Sequence, residues 1–257
     1  MSASAVRTDV WLRRYRDARA GAARLLCFPH AGGAASFYLP LSQRLSPAVE
    51  TLAVQYPGRQ DRLAEPSARS IADLADGVAA ALADREEDGL GPLVLFGHSL
   101  GAVVAYEVAR RLEPGPLAGP AALIVSGCRA PSRLRPDPVH LWDDAAVLAE
   151  LHRLDGTEGG LLGNAELVRM ILPAVRADYA ALTAYAESAP ATRPLACPVM
   201  AMVGDNDPLV PVDDALAWAQ FTAGGFGSEL FPGGHFYLSS CADRVTDSIR
   251  RMVKVCA

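Results

Sequence analysis

Six apolar runs of strand length punctuate the chain, at 24–28, 51–55, 93–96, 121–126, 198–203 and 228–231. Short continuous runs of this kind suit strands buried on both faces of a parallel sheet. Helical spacing fills several of the intervals. Ile71, Leu74, Val78 and Leu82 follow one another at steps of three, four and four, and Val245, Ile249, Met252 and Cys256 keep the same rhythm near the C-terminus. Each set makes one apolar stripe on a helix. Strands alternating with helices predict an α/β architecture, a mostly parallel, doubly wound sheet, with right-handed crossovers.

The alternation stops between 131 and 194. "WDDAAVLAELHRL" and "AELVRMILPAVRADYAALTAYAE" read as helices, the first with Asp143 and Asp144 at its N-terminus, where carboxylates favour the helix dipole. Pro131, Pro136 and Pro138 precede this stretch and Pro190 and Pro194 close it. We expect a helical lid insertion resting on the sheet of a single domain spanning 1–257. Its centre, "DGTEGGLLGN" (155–164), reads as a mobile turn. Leu161 and Leu162, flanked by Gly159, Gly160 and Gly163, are then expected to line a substrate-binding channel on a hinge that swings over the site.

Composition narrows the function classes. The 257 residues are 51% hydrophobic and 21% charged, with a formal net charge of −5, which argues against a general nucleic-acid partner. Five cysteines are scattered without a C-x-x-C pair. That pattern speaks against zinc and against a disulfide framework. Cys27, Cys128 and Cys197 lie in or beside apolar runs, as small buried hydrophobes do. The N-terminal stretch 1–20 is studded with Arg and Asp, unlike a signal peptide, and no window reaches transmembrane length. The expected setting is cytoplasmic, with no membrane partner. No metal-ligand set and no phosphate-binding loop appear, so no cofactor is expected.

The chemistry centres on Gly97-His98-Ser99-Leu100-Gly101, between the run 93–96 and an amphipathic stretch. Strand, Gly-x-Ser-x-Gly and helix form a nucleophile elbow, which exposes the serine at the C-terminal edge of the sheet. The amide of Leu100, at the start of the following helix, would supply half of an oxyanion hole. The second donor normally comes from the loop after an earlier strand. "LLCFPHAGGAASF" provides that loop, with the Ala31 amide as the expected donor and His30 as a loop brace acting by hydrogen bonding. Serine needs a base oriented by a carboxylate. His140 and His152 fall in the helical insertion, and His98 is too constrained beside Ser99. His235, in "FPGGHFYL", remains as the base. For the acid, "VMAMVGDNDPLVP" offers Asp205 and Asp207. Asp205, one residue past Gly204, suits a turn-stabilising role, and the longer reach of Asp207 favours it as the acid.

Taken in order, "FPHAGG", "YPGRQDR", "GHSLGA", "GDNDPLVP" and "GGHFYL" resemble the type II thioesterases of polyketide and nonribosomal peptide synthesis, members of the α/β-hydrolase superfamily. The resemblance runs from about residue 24 to 255, and "SGCRAPS" with "LLGNAELVRMILPAVRADYAALTAY" is similar to that family's lid region. It implies hydrolysis of acyl groups from the phosphopantetheine arm of an acyl or peptidyl carrier protein by a monomeric enzyme. It also implies Ser99 as nucleophile, Asp207 as acid, His235 as base, and Ala31 and Leu100 as oxyanion donors. The arginines of "YPGRQDR" receive no catalytic role and are expected to pair with nearby acids. Three alternatives stay open on sequence alone: a small-molecule carboxylesterase without a carrier partner, a synthase-associated product-releasing thioesterase, and a non-catalytic module of the same fold.

Overall fold

The computed structural model describes residues 10–83, 91–113, 119–155, 165–188 and 193–256. Among these, seven strands form one sheet: β1 (Leu12–Arg14), β2 (Ala23–Phe28), β3 (Val49–Val54), β4 (Leu93–His98), β5 (Ala122–Ser126), β6 (Val199–Gly204) and β7 (Phe226–Phe231). Their order is β1-β3-β2-β4-β5-β6-β7. All neighbouring pairs are parallel except β1 with β3, where Leu12 faces Val54. The helices are α1 (Leu39–Leu45), α2 (Ile71–Ala83), α3 (Leu100–Leu112), α4 (Asp144–Asp155), α5 (Ala165–Ser188), α6 (Val212–Leu216), α7 (Tyr237–Ser240) and α8 (Ala242–Cys256).

The continuous apolar runs have a direct cause, since alternate residues of one strand feed two cores. Leu26 and Phe28 of β2, with Leu95 of β4 and Leu123 of β5, pack under α2 and α3. Leu25 and Cys27, with Val94, Phe96 and Ile124, pack on the other face against α1 and α8. The two predicted helical stripes face these cores: Ile71, Leu74, Val78 and Leu82 are buried, as are Val245 and Ile249.

The margins of the sheet depart from the sequence pattern. β1 carries Leu-Arg-Arg, so no apolar run announces it. Leu12 is buried, while Arg13 and Arg14 reach outward to Asp61 and Glu50. β7 begins at Phe226, two residues earlier than the apolar run, and is not buried on both faces. As an edge strand it leaves Gly227, Ser228 and Leu230 exposed, and Phe231 is its fully buried residue.

Between β5 and β6 the described regular structure of the 131–194 stretch is helical. Short 3-10 turns (Pro131–Arg133 and Pro138–Leu141) lead into α4 and α5. The Asp143 carboxylate accepts a 2.8 Å bond from the Ala146 amide and so caps α4. Asp155 ends α4 rather than opening a turn. Residues 156–164, with Leu161 and Leu162, lie outside the described residues. Val139, Val147, Val168, Leu172, Val175 and Tyr179 close a separate apolar cluster here, and Ala31, from the loop after β2, packs against it. All five cysteines are free thiols, with Cys27, Cys128 and Cys197 buried.

Candidate active site

The loops after β2, β4, β5, β6 and β7 meet at the C-terminal rim of the sheet. At the end of β4 the backbone turns sharply through Ser99, at φ 55° and ψ −125°. This left-handed conformation is uncommon for a residue with a side chain. The Ser99 amide is held by the Ser126 carbonyl at 2.8 Å, and its own carbonyl receives the Ala102 amide at 2.9 Å. Its hydroxyl makes no capping bond to α3. The flanking glycines are steric requirements. A Cβ on Gly97 would collide with the Gly101 carbonyl, and one on Gly101 with the carbonyls of Phe28 and Pro29. α3 can therefore start hard against the end of β2, with the Leu100 amide at its first turn, where helical amides lack intrahelical partners.

His235 and Asp207 arrive from the loops after β7 and β6. His235 Nδ1 donates to Asp207 Oδ2 at 2.8 Å, with side chains 2% and 0% exposed. Because an ionised carboxylate only accepts, Nδ1 carries the hydrogen, and in the neutral ring Nε2 holds the free lone pair. The other Asp207 oxygen accepts from the amides of Leu209 at 2.8 Å and Val210 at 3.2 Å. Asp205 does different work. It is exposed, and its carboxylate accepts from the Gly233 amide at 2.9 Å, joining the loops that carry Asp207 and His235. The Asn206 amide to the Gly233 carbonyl, 3.0 Å, adds a second link.

Ser99 adjoins this pair through its neighbour His98, whose ring centroid lies 5.0 Å from that of His235. His98 itself points below the rim, with Nδ1 at 3.0 Å from Ser126 Oγ, which in turn meets Tyr237 OH at 2.5 Å. Burial holds the His98 ring well below the ordinary imidazole range, with the neighbouring His235 and His30 adding to the effect. His30 is lowered to about 3, by burial first and then by His235 and Arg59. Both rings are therefore neutral at physiological pH. His30 braces its loop, but by ring packing rather than by a side-chain hydrogen bond. It stands edge-on to Phe37 and Phe236, each at 4.8 Å, and its Nδ1 has no hydrogen-bond partner among the described residues. Burial, with Asp207 close by, pushes the Cys128 thiol up to about 12, which leaves it protonated and unreactive. His140 lies in the 3-10 turn Pro138–Leu141 and His152 is exposed on α4.

The loop carrying Ala31 has partners that the sequence did not reveal. Arg59 and Asp178 form a bidentate ion pair at 2.9 and 3.0 Å, with side chains 5% and 2% exposed. They are 119 positions apart, on the "YPGRQDR" loop and on α5. Removing one member of a buried pair of this kind typically costs about 3–5 kcal/mol. Arg62 pairs with Glu65 and also binds the Gln55 carbonyl at 2.8 Å. The expected pairing of the "YPGRQDR" arginines with acids holds for both, but nothing in "GGHFYL" or in the "LLGNAELVRMILPAVRADYAALTAY" stretch sets Tyr237 or Asp178 apart as a partner. Among the described residues no cluster of three His, Cys, Asp or Glu side chains has the arrangement of a metal site.

Comparison with known proteins identifies the family. Residues 23–254 match the thioesterase-domain family. A thioesterase of Streptomyces venezuelae, PikA5, is 48% identical over 235 residues, covering 91% of this chain and 82% of that protein. A probable cadicidin biosynthesis thioesterase of Streptomyces griseus is 47% identical over 239 residues. That match covers 93% of this chain, which spans only 64% of the Streptomyces griseus protein's length. Among solved structures, the type II thioesterase BorB from the borrelidin biosynthetic cluster superposes with a TM-score of 0.89 at 44% identity, covering 96% of this chain and 99% of its own.

Proposed function

Because the chain belongs to the thioesterase-domain family, we propose that it is a type II thioesterase of polyketide or nonribosomal peptide synthesis. In this reading it hydrolyses aberrant or stalled acyl groups from the phosphopantetheine arm of carrier proteins. The observation that carries it is the buried His235–Asp207 pair beside the strained Ser99 elbow. The biosynthetic clusters named for its relatives support the carrier partner.

His235 Nε2 takes the Ser99 hydroxyl proton as Oγ attacks the thioester carbonyl. The Ala31 and Leu100 amides receive the developing oxyanion, a form of stabilisation in which one donor is typically worth about 10²–10³ in rate. As the C–S bond breaks, the pantetheine sulfur leaves with the proton returned from His235. Water, deprotonated by the same nitrogen, then attacks the acyl-Ser99 ester; as the C–Oγ bond breaks, Nε2 returns the proton to Ser99 and the free acid leaves. Asp207 holds the imidazole in the required tautomer and stabilises its cation. The helices between β5 and β6 act as the lid over the acyl chain. In this reading the enzyme works as a cytoplasmic monomer.

The test sets acyl carrier proteins of graded chain length against matching simple esters. Carrier-bound thioesters are expected to turn over faster, and Ser99→Ala to abolish that turnover with unchanged circular dichroism. Equal or greater rates on simple esters would point to a carboxylesterase.

A further inference from the structure

We propose that Arg59 and Asp178 are a positioning pair that aims the Ala31 amide at the oxyanion and couples its aim to helix α5. This rests on the reading of Ala31 as an oxyanion donor. The contacts converge on the loop. Asp178 Oδ2 accepts the Gly32 amide at 2.8 Å and Arg59 Nη1 at 2.9 Å. The same Nη1 donates to the Gly33 carbonyl at 3.0 Å. On the other side, Arg59 lies 5.1 Å from the centre of the Tyr56 ring, whose hydroxyl reaches the Pro29 carbonyl at 3.5 Å. The backbone is thus held on both sides of Ala31 by side chains from elsewhere in the fold.

The lining of α5 reinforces the coupling. Val175, one turn before Asp178, packs so tightly on the loop that a Cβ on Gly32 would collide with its Cγ2. Ala31 itself packs on the apolar cluster of Val168, Leu172, Val175 and Tyr179. Stability alone gives no reason for an ion pair in this place, since apolar residues of similar volume often serve as well or better. Geometry does. One carboxylate oxygen is shared between a guanidinium and a loop amide, so the loop cannot turn without breaking the pair. A misplacement of about 1 Å at such a donor can cost about 10²-fold in rate.

Two variants separate positioning from folding. Asp178→Asn keeps the shape but turns an NH₂ group toward at least one of the three N–H donors that the carboxylate accepts from. Arg59→Met with Asp178→Leu removes both charges, so no unpaired ion stays buried. Active-site concentration is fixed by titration with a fluorophosphonate, with the labelled residue identified by mass spectrometry. Rates are then measured on an acyl-N-acetylcysteamine thioester. The expected result is label on Ser99, a melting temperature for the double variant above that of Asp178→Asn, and kcat per titrated site at least about 10-fold below the parent in both. KM should stay within about threefold. Parental kcat per site in either variant overturns the pairing role while leaving Ser99 in place. Label on another residue of the parent overturns the site reading, and the proposal with it.

Discussion

Ser99 holds a backbone conformation that costs a non-glycine residue on the order of 1–3 kcal/mol, and Gly97 and Gly101 remove the collisions that would otherwise forbid it. The strain has a use only if the hydroxyl is the reacting group. The two acids of the β6 loop divide the remaining work at the same scale. Asp207 fixes the His235 tautomer from a fully shielded position, whereas Asp205 fastens one loop to another from an exposed one. Asp207→Asn should therefore lower kcat by about 10⁴-fold, as loss of the orienting carboxylate does elsewhere. Asp205→Asn should cost far less in rate and show chiefly as a small loss of thermal stability. Steady-state kinetics and melts on the two variants decide the assignment, and similar kcat losses would reject it.

Between elements, the contact that matters most is α5 against the loop after β2. Gly32 has φ +72° and sits under Val175, so Gly32→Ala adds left-handed strain, about 1–2 kcal/mol, to a steric clash. Val175→Ala removes the clash and leaves the strain. A double-mutant cycle on unfolding free energy should give a favourable coupling of roughly 0.5–3 kcal/mol, and additive losses would mean that the loop and α5 do not bear on each other. This contact also marks where sequence reading stops. The strands β2 to β6 were legible because their residues are apolar on both faces, and the elbow because five adjacent residues define it. β1 was not legible, being three residues with two arginines, and β7 was legible only from residue 228 because Gly227 interrupts the apolar pattern after Phe226. His235 and both candidate acids could be found from loops next to strands. Asp178 could not, because a single acid on a long amphipathic helix has no local pattern to distinguish it from a solvated one.

At the level of the whole molecule, the rim is assembled from unequal parts. Ser99 and Ala31 follow strands at the centre of the sheet, but His235 follows β7, its exposed margin. Acid weakens the same rim. His30 and His98 have folded pKa values below the ordinary 6.5, so on acidification the unfolded chain takes up protons that the folded one refuses. Their contribution is intact above about pH 6.5 and declines below it, for His30 down to about 3, at up to about 1.4 kcal/mol per pH unit per ring. Urea titrations at pH 7 and pH 5, followed both by turnover and by far-ultraviolet circular dichroism, read the two effects together. The midpoint should fall at pH 5, and less so in His30→Phe. At either pH, turnover should vanish at lower urea than the dichroism, and superimposed curves would argue against it. The position of β7 then has a practical meaning: fraying of one outer strand parts His235 from Asp207 while the central strands remain paired. A preparation of this enzyme can accordingly look folded by every bulk measure and already be dead.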